Sequence, residues 1–269
     1  MSGELRGRVT DWLRSLQDSI TDALSAIDGG AFREDSWDRP GGGGGRTRVL
    51  ERGAVLERGG VNFSEVFGEL PNELGGMPGS GRSFYATGLS LVLHPRNPFA
   101  PTVHANFRYL ERGDAAWFGG GADLTPSYLF DEDARHFHAT LKAACDRHDP
   151  ALYPAFKREC DAYFLIAHRG ERRGVGGIFF DYLQGDPEKR FAFVRDAGEA
   201  FLPAYLPILE KRKDTPYVPR HRDWQLLRRG RYVEFNLVYD RGTVFGLKTA
   251  GRIESILMSL PPHAAWAYA

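Results

Sequence analysis

The chain has 269 residues, long enough for one large domain or two small ones with a substantial core. Its 35 basic and 35 acidic residues cancel, which argues against nucleic-acid binding and against electrostatic anchoring on a membrane. Two cysteines, no apolar run near the roughly 20 residues of a membrane span and no signal-like start predict a soluble protein of the reducing cytoplasm.

Leu5, Val9, Trp12, Leu16, Ile20, Leu24 and Ile27 recur at helical spacing, which predicts an amphipathic helix over 4–28 that stops at Gly29-Gly30. A glycine run follows at 41–45. A phosphate loop would need Lys-Ser/Thr after it, and Arg46-Thr47-Arg48 does not supply that, so the run is read as a flexible loop. Strand-like pieces then dominate, at 48–56, 61–67, 84–94 and 102–111. Residues 117–126 begin as a strand and end in a glycine-rich turn that presents Asp123 after the bend, at a cleft.

Three helices are expected next. The first, 131–147, carries Ala134, His138, Leu141 and Cys145 on its apolar stripe. The second, 154–168, places Cys160, Phe164 and His168 in one row. The third, 186–213, is capped by Asp186 and interrupted near Pro203 or Pro207. A buried strand at 177–183 separates the last two. The alternation of 232–239, a turn at 240–242 and a return at 243–248 predict a hairpin, with a short helix near 253–260. Hairpin-linked strands with helices grouped in the second half predict an α+β fold on an antiparallel sheet.

The strand at 102–111 carries unusual chemistry. With a period of two, Thr102, His104, Asn106 and Arg108 share one face, and Val103, Ala105, Phe107 and Tyr109 the other. Ser90, Val92 and His94 share a face of the preceding strand. Antiparallel pairing would gather two imidazoles, an amide, a hydroxyl and a guanidinium on one surface. Any half-solvated strand alternates, but a merely wet face favours Lys, Glu and Thr, whereas Arg grips carboxylates with two prongs. The candidate groups are therefore His94, His104, His138, His168, Arg108, Asp123 and Arg252. The four histidines lack a compact ligand spacing, so a divalent cation is only weakly signalled. No flavin, nicotinamide or haem motif is present. The arginine clusters at 169–173 and 228–231 read as solvated surface or as an attractor for a small polyanion.

The strings HPRNPFAPTVHANFRYLE (94–111), WFGGGADLTPSY (117–128), YPAFKRECDAYFLIAHRGERRGVGGIFFDYL (153–183) and RRGRYVEFNLVYDRGTVFGLKTAGRIESILMSLPP (228–262) resemble oxygen-dependent coproporphyrinogen III oxidases. Further blocks at 34–50, 60–69 and 131–150 extend the likeness in colinear order over nearly the whole chain. The resemblance implies one domain over 1–269, a single large antiparallel β-sheet flanked by α-helices, and a cytoplasmic homodimer in contact through 232–262. It implies conversion of two propionates of coproporphyrinogen III to vinyls, with O2 as co-substrate. By matched position it implies His104 and Asp123 as catalytic residues, and Ser90, Asn106, Phe107, Arg108, Ala250, Gly251 and Arg252 as substrate contacts. It implies His94, His104, His138 and His168 as divalent-metal ligands. The chain departs from the family at Ala116, where a tryptophan is common, at Tyr182, where a second aspartate is usual, and at Ala250, commonly glycine. A metal-dependent oxygenase and a non-catalytic tetrapyrrole carrier are the rival readings.

Overall fold

A 27-residue helix, α1 (Ser2–Asp28), opens the chain in the computed structural model, which describes residues 2–70, 77–248 and 252–268. Leu5, Val9, Leu13, Leu16, Ile20 and Leu24 are buried as one helical stripe. Six strands follow as an antiparallel meander: β1 (Arg33–Asp38), β2 (Gly43–Glu51), β3 (Leu56–Glu69), β4 (Ser83–Pro95), β5 (Thr102–Arg112) and β6 (Ala115–Thr125). Helices α2 (Asp131–Asp146) and α3 (Leu152–Tyr163) come next, then a small hairpin of β7 (Leu165–Ile166) and β8 (Glu171–Arg172). Strand β9 (Gly176–Leu183) pairs with β6 and completes a seven-stranded antiparallel sheet. The chain ends in α4 (Pro187–Glu199), α5 (Phe201–Arg212), α6 (Pro219–Val238), α7 (Arg241–Lys248) and α8 (Ile253–Leu257). This is the expected α+β architecture.

The period of two decides what each face of the sheet carries. Val61, Leu91, Ala105, Ala122 and Ile178 form one row across the strands, and Phe63, Leu89, Phe107 and Phe180 the next. These rows share the main core with α1 and with Phe137, Leu141, Phe193, Val194, Phe201 and Ile208 of α2, α4 and α5. Each of the valine, leucine, isoleucine and phenylalanine side chains contributes about 1.5–3 kcal/mol, so this face anchors the fold. The opposite face is smaller in its apolar content: a second cluster of Cys160, Phe164, Ile166, Phe179 and Phe235 covers it at the β5–β6–β9 end.

Several expectations are corrected. Residues 232–238 and 241–248 are helical, not the two strands of a hairpin. Their alternation suits a strand, but Gln225, Arg229, Tyr232, Phe235 and Asn236 are buried at steps of three and four along α6, and tertiary burial of that stripe prevails. The glycine run is not a loose loop, because Gly43 to Gly45 open β2. A Cβ at Gly45 would sit 2.3 Å from the Trp37 ring, so the indole lies across it. Glycines 119–121 likewise belong to β6, and Asp123 lies within that strand, buried, rather than beyond a bend. The stretch 48–56 is split by Arg52, whose φ of 60° turns the chain from β2 to β3. Helix α3 stops at Tyr163, so His168 sits in a separate 3-10 turn, Ala167–Arg169, and not on the Cys160–Phe164 row. The 186–213 helix breaks at Ala200; Pro203 then falls in the first turn of α5, where no intrahelical donor is needed, and Pro207 is accommodated inside it. Arg173 and Arg229 are buried rather than solvated. No helix among the described residues is long and apolar enough to cross a membrane.

Candidate active site

The face opposite α1 carries a smooth floor. Trp37, Gly45, Ser64, Gly88, Arg108 and Gly119 are successive partners across β1 to β6. Trp37 and Arg108 stand four strands apart, about 19 Å at ordinary inter-strand spacing. The next row holds Asn62, Ser90, Asn106, Gly121 and Phe179. Ser90 is exposed there, and Asn106 and Arg108 are half-buried. The Trp37 indole covers Gly45, and Arg108 and Asp181 fill the space over Gly119, so the small residues left between them in this row are Ser64 and Gly88.

A polarised hydrogen-bonded chain runs across this floor. Arg108 Nη1 donates to Asn106 Oδ1 at 2.8 Å, and Asn106 Nδ2 approaches His104 Nε2 at 3.3 Å. His104 Nδ1 lies 2.7 Å from Asp123 Oδ1. The carboxylate can only accept, so Nδ1 carries the proton and Nε2 faces Asn106. Arg173 Nη2 closes the chain by donating to Oδ1 and Oδ2 of Asp123 at 2.9 and 2.7 Å. Burial alone would raise the Asp123 carboxyl; the guanidinium of Arg173 and the His104 ring more than reverse this and hold it low. Arg173 is itself 2% exposed and lies 4.1, 4.4 and 4.9 Å from the Phe164, Tyr232 and Phe235 ring centroids. Its Nη1 donates to Asn236 Oδ1 at 2.9 Å.

A second charged group flanks the floor. Asp181, near the end of β9, lies 3.1 Å from Arg108 and 3.4 Å from Arg241, the first residue of α7. The Arg241 guanidinium sits 4.9 Å from the centroid of Tyr163, which stacks on Phe179 at 4.2 Å. Tyr163 OH in turn donates to Asp240 Oδ1 at 2.9 Å.

The sequence-derived residues divide clearly. His104, Asp123, Asn106, Arg108 and Ser90 come together. Phe107 lies on the other face, against Trp12 in the main core, with ring centroids 6.3 Å apart. Arg252 sits at the far edge of the floor, ion-paired with Asp35 of β1. Ala250 and Gly251 lie outside the described residues. The proposed ligand set of four histidines does not converge. His94 is fully buried, between Thr102 Oγ1 and the Ser259 carbonyl, and burial pushes it down to about 3. His138 bonds Tyr153 OH and the Val175 carbonyl. His168 bonds Tyr239 OH and Glu234 on the outer side of α6. Every ring nitrogen of the four already has a partner, and no two rings share one. Among the described residues, no three His, Cys, Asp or Glu side chains are grouped to hold a metal ion. These histidines do not fit one divalent cation.

Sequence reasoning missed Arg173, Asp181, Tyr163 and Arg241. Arg173 was hidden in an arginine-rich string, and nothing in that string separates its one buried member from its exposed neighbours. For Asp181, the interruption of an apolar strand by a carboxylate was a usable signal.

Fold and site together define a class: an α+β protein whose sheet face carries guanidinium groups and a histidine–carboxylate pair. The chain belongs to the coproporphyrinogen III oxidase family, whose pattern matches residues 8–269. It is 55% identical to the chloroplastic oxygen-dependent coproporphyrinogen-III oxidase of Glycine max, covering 99% of this chain and 74% of that protein. It is 54% identical to coproporphyrinogen-III oxidase 1 of Arabidopsis thaliana, over 99% of this chain and 74% of that one. The oxygen-dependent enzyme of Prochlorococcus marinus strain MIT 9313 is 53% identical over 98% of this chain and 84% of its own length.

Proposed function

We propose that this protein converts coproporphyrinogen III to protoporphyrinogen IX in haem biosynthesis, using O2. The carrying observation is the hydrogen-bonded chain from Arg108 through Asn106 and His104 to Asp123, laid along a floor of small side chains. For each reacting propionate, the bond to the carboxylate carbon breaks and CO2 leaves. A neighbouring C–H bond breaks in the same net change, giving the vinyl group. The two electrons and the proton from that C–H pass to O2, and one further proton completes hydrogen peroxide. Electron-rich pyrroles allow the substrate to supply those electrons without flavin or nicotinamide.

Arg108 and Arg241 suit the grip on a propionate, and Arg252 a second carboxylate across the floor. Ser90 and Asn106 line the same row, and Ala250 and Gly251 by position border Arg252. His104 exchanges the further proton through Nε2, while Asp123 balances the charge of the protonated ring. Asp123 is 1% exposed with both oxygens engaged, so its action is on His104 rather than on a pyrrole N–H. We further read the enzyme as a cytoplasmic homodimer using 232–262; exposed Leu237, Val238, Leu247 and Ile253 on α6 to α8 support that surface.

The test is aerobic incubation with coproporphyrinogen III. Each divinyl product should be accompanied by two CO2 and two peroxide, one of each per carboxyl lost. Tight binding without CO2 release would identify a carrier instead.

A further inference from the structure

The strand that bears Asp181 is distorted where the carboxylate emerges. Along the β6–β9 pair, Phe118 faces Leu183 but Gly120 faces Phe180, so Asp181 and Tyr182 together oppose Gly119 in a bulge. Tyr182 has φ of 52°, one of two non-glycine residues among those described with a positive value. For a bulky aromatic residue that conformation is strained. Its N–H donates to Asp181 Oδ1 at 3.0 Å. The other contacts of that carboxylate are the two guanidiniums, 3.1 Å and 3.4 Å away. A strained bulge thus aims an acidic group into the pair of cations best placed to hold a ligand carboxylate. The space was kept for it: a Cβ at Gly119 would lie 2.8 Å from Asp181 Oδ1 and 2.7 Å from Arg108 Nε.

We propose that Asp181 is an internal stand-in for a substrate propionate, occupying the Arg108–Arg241 pair in the empty enzyme and yielding it when a ligand carboxylate arrives. This rests on the reading of those arginines as propionate anchors. The exchange is carboxylate for carboxylate, so the cations keep an anionic partner before and after. Binding then gains only the difference between the two pairings, which favours release of a product whose carboxylate has gone. Asp181 therefore tunes affinity and turnover without touching the reacting bond.

The probe is coproporphyrin III, which carries four propionates but cannot be oxidised to the vinyl product, bound at equilibrium and followed by fluorescence. Asp181→Asn frees both guanidiniums at nearly constant shape and is expected to tighten binding at least about fivefold, the scale of one partly screened charge-assisted pair. Asp181→Glu should return affinity to within about twofold of the native protein. Arg108→Gln should weaken binding about tenfold or more. Unchanged or weaker binding by Asp181→Asn, while Arg108→Gln still weakens it, would overturn the proposal and leave the anchor reading intact. Unchanged binding by Arg108→Gln would instead sink the anchor reading. A structure of the native protein with coproporphyrin III decides the matter independently of variant folding: Asp181 should have left hydrogen-bonding distance of Arg108, and a retained pair beside a bound propionate refutes the exchange.

Discussion

Replacing Asp123 by asparagine removes one charge from the centre of the site at almost constant volume. The carboxylate is 1% exposed and its partner Arg173 is 2% exposed, so water cannot replace the lost anion. The asparagine oxygen can still accept from His104 or Arg173. Its amide, however, would present hydrogens where Arg173 Nη2 now donates to Oδ2 at 2.7 Å. Breaking one side of a buried pair costs about 3–5 kcal/mol, because the surviving charge is left uncompensated. Three aromatic rings and the Asn236 oxygen remain around the guanidinium, which places the expected loss near the low end, about 3 kcal/mol. For a protein of this size that is a fall in melting temperature of roughly 6–12 °C. Urea denaturation of Asp123→Asn, Arg173→Met and the double variant forms the cycle. The double variant should be more stable than the two single losses predict, by about 2 kcal/mol or more. An Asp123→Asn loss below about 1 kcal/mol, or strict additivity, would refute the claim that these two charges sustain each other in a dry site.

Three further outcomes are expected. His104→Ala should lower kcat at least about a hundredfold while leaving KM within a few-fold, as befits loss of a proton-transfer group; near-native turnover would remove His104 from the chemistry. His94 is held neutral by burial, with its folded value near 3, below the ordinary 6.5, so on acidification the unfolded chain takes up this proton first. Stability should therefore fall from about pH 6.5 downward, by at most about 1.4 kcal/mol per pH unit from this group, and His94→Gln should flatten the slope in a series of denaturation curves. Tyr182→Gly should change stability by less than about 1 kcal/mol, since relief of the left-handed strain offsets the lost contact with Trp117; a loss above about 2 kcal/mol in calorimetry would show that the backbone is not strained there.

Residue order alone determined much of this molecule. The apolar stripe of α1 and the alternation around His104 report periods of 3.6 and 2, and those periods follow from backbone geometry whatever surrounds them. Hence the opening helix, strands β4 and β5, the shared face of His104, Asn106 and Arg108, and the antiparallel α+β class were legible. Period failed where one pattern fits two structures. Residues 232–239 alternate as a strand would, yet 232–238 belong to α6 because the stripe from Gln225 to Asn236 is what becomes buried. Glycines carry no period at all, and whether Gly43 to Gly45 and Gly119 to Gly121 turn or extend depended on the partner strands, whose backbone lies closest to Gly43, Gly44, Gly120 and Gly121, and on the side chains over Gly45 and Gly119.

The pairings of charge belong wholly to tertiary structure. Arg173 and Asp123 are 50 residues apart, and Arg241 and Asp181 are joined only because the start of α7 lies beside Tyr163 and Phe179. An ion pair depends on a distance through space and on the water excluded around it, and neither quantity is written along the chain. The same reason disperses the four histidines: similar residues in one sequence acquired separate partners, because each strand, helix and turn delivered its ring to a different neighbour.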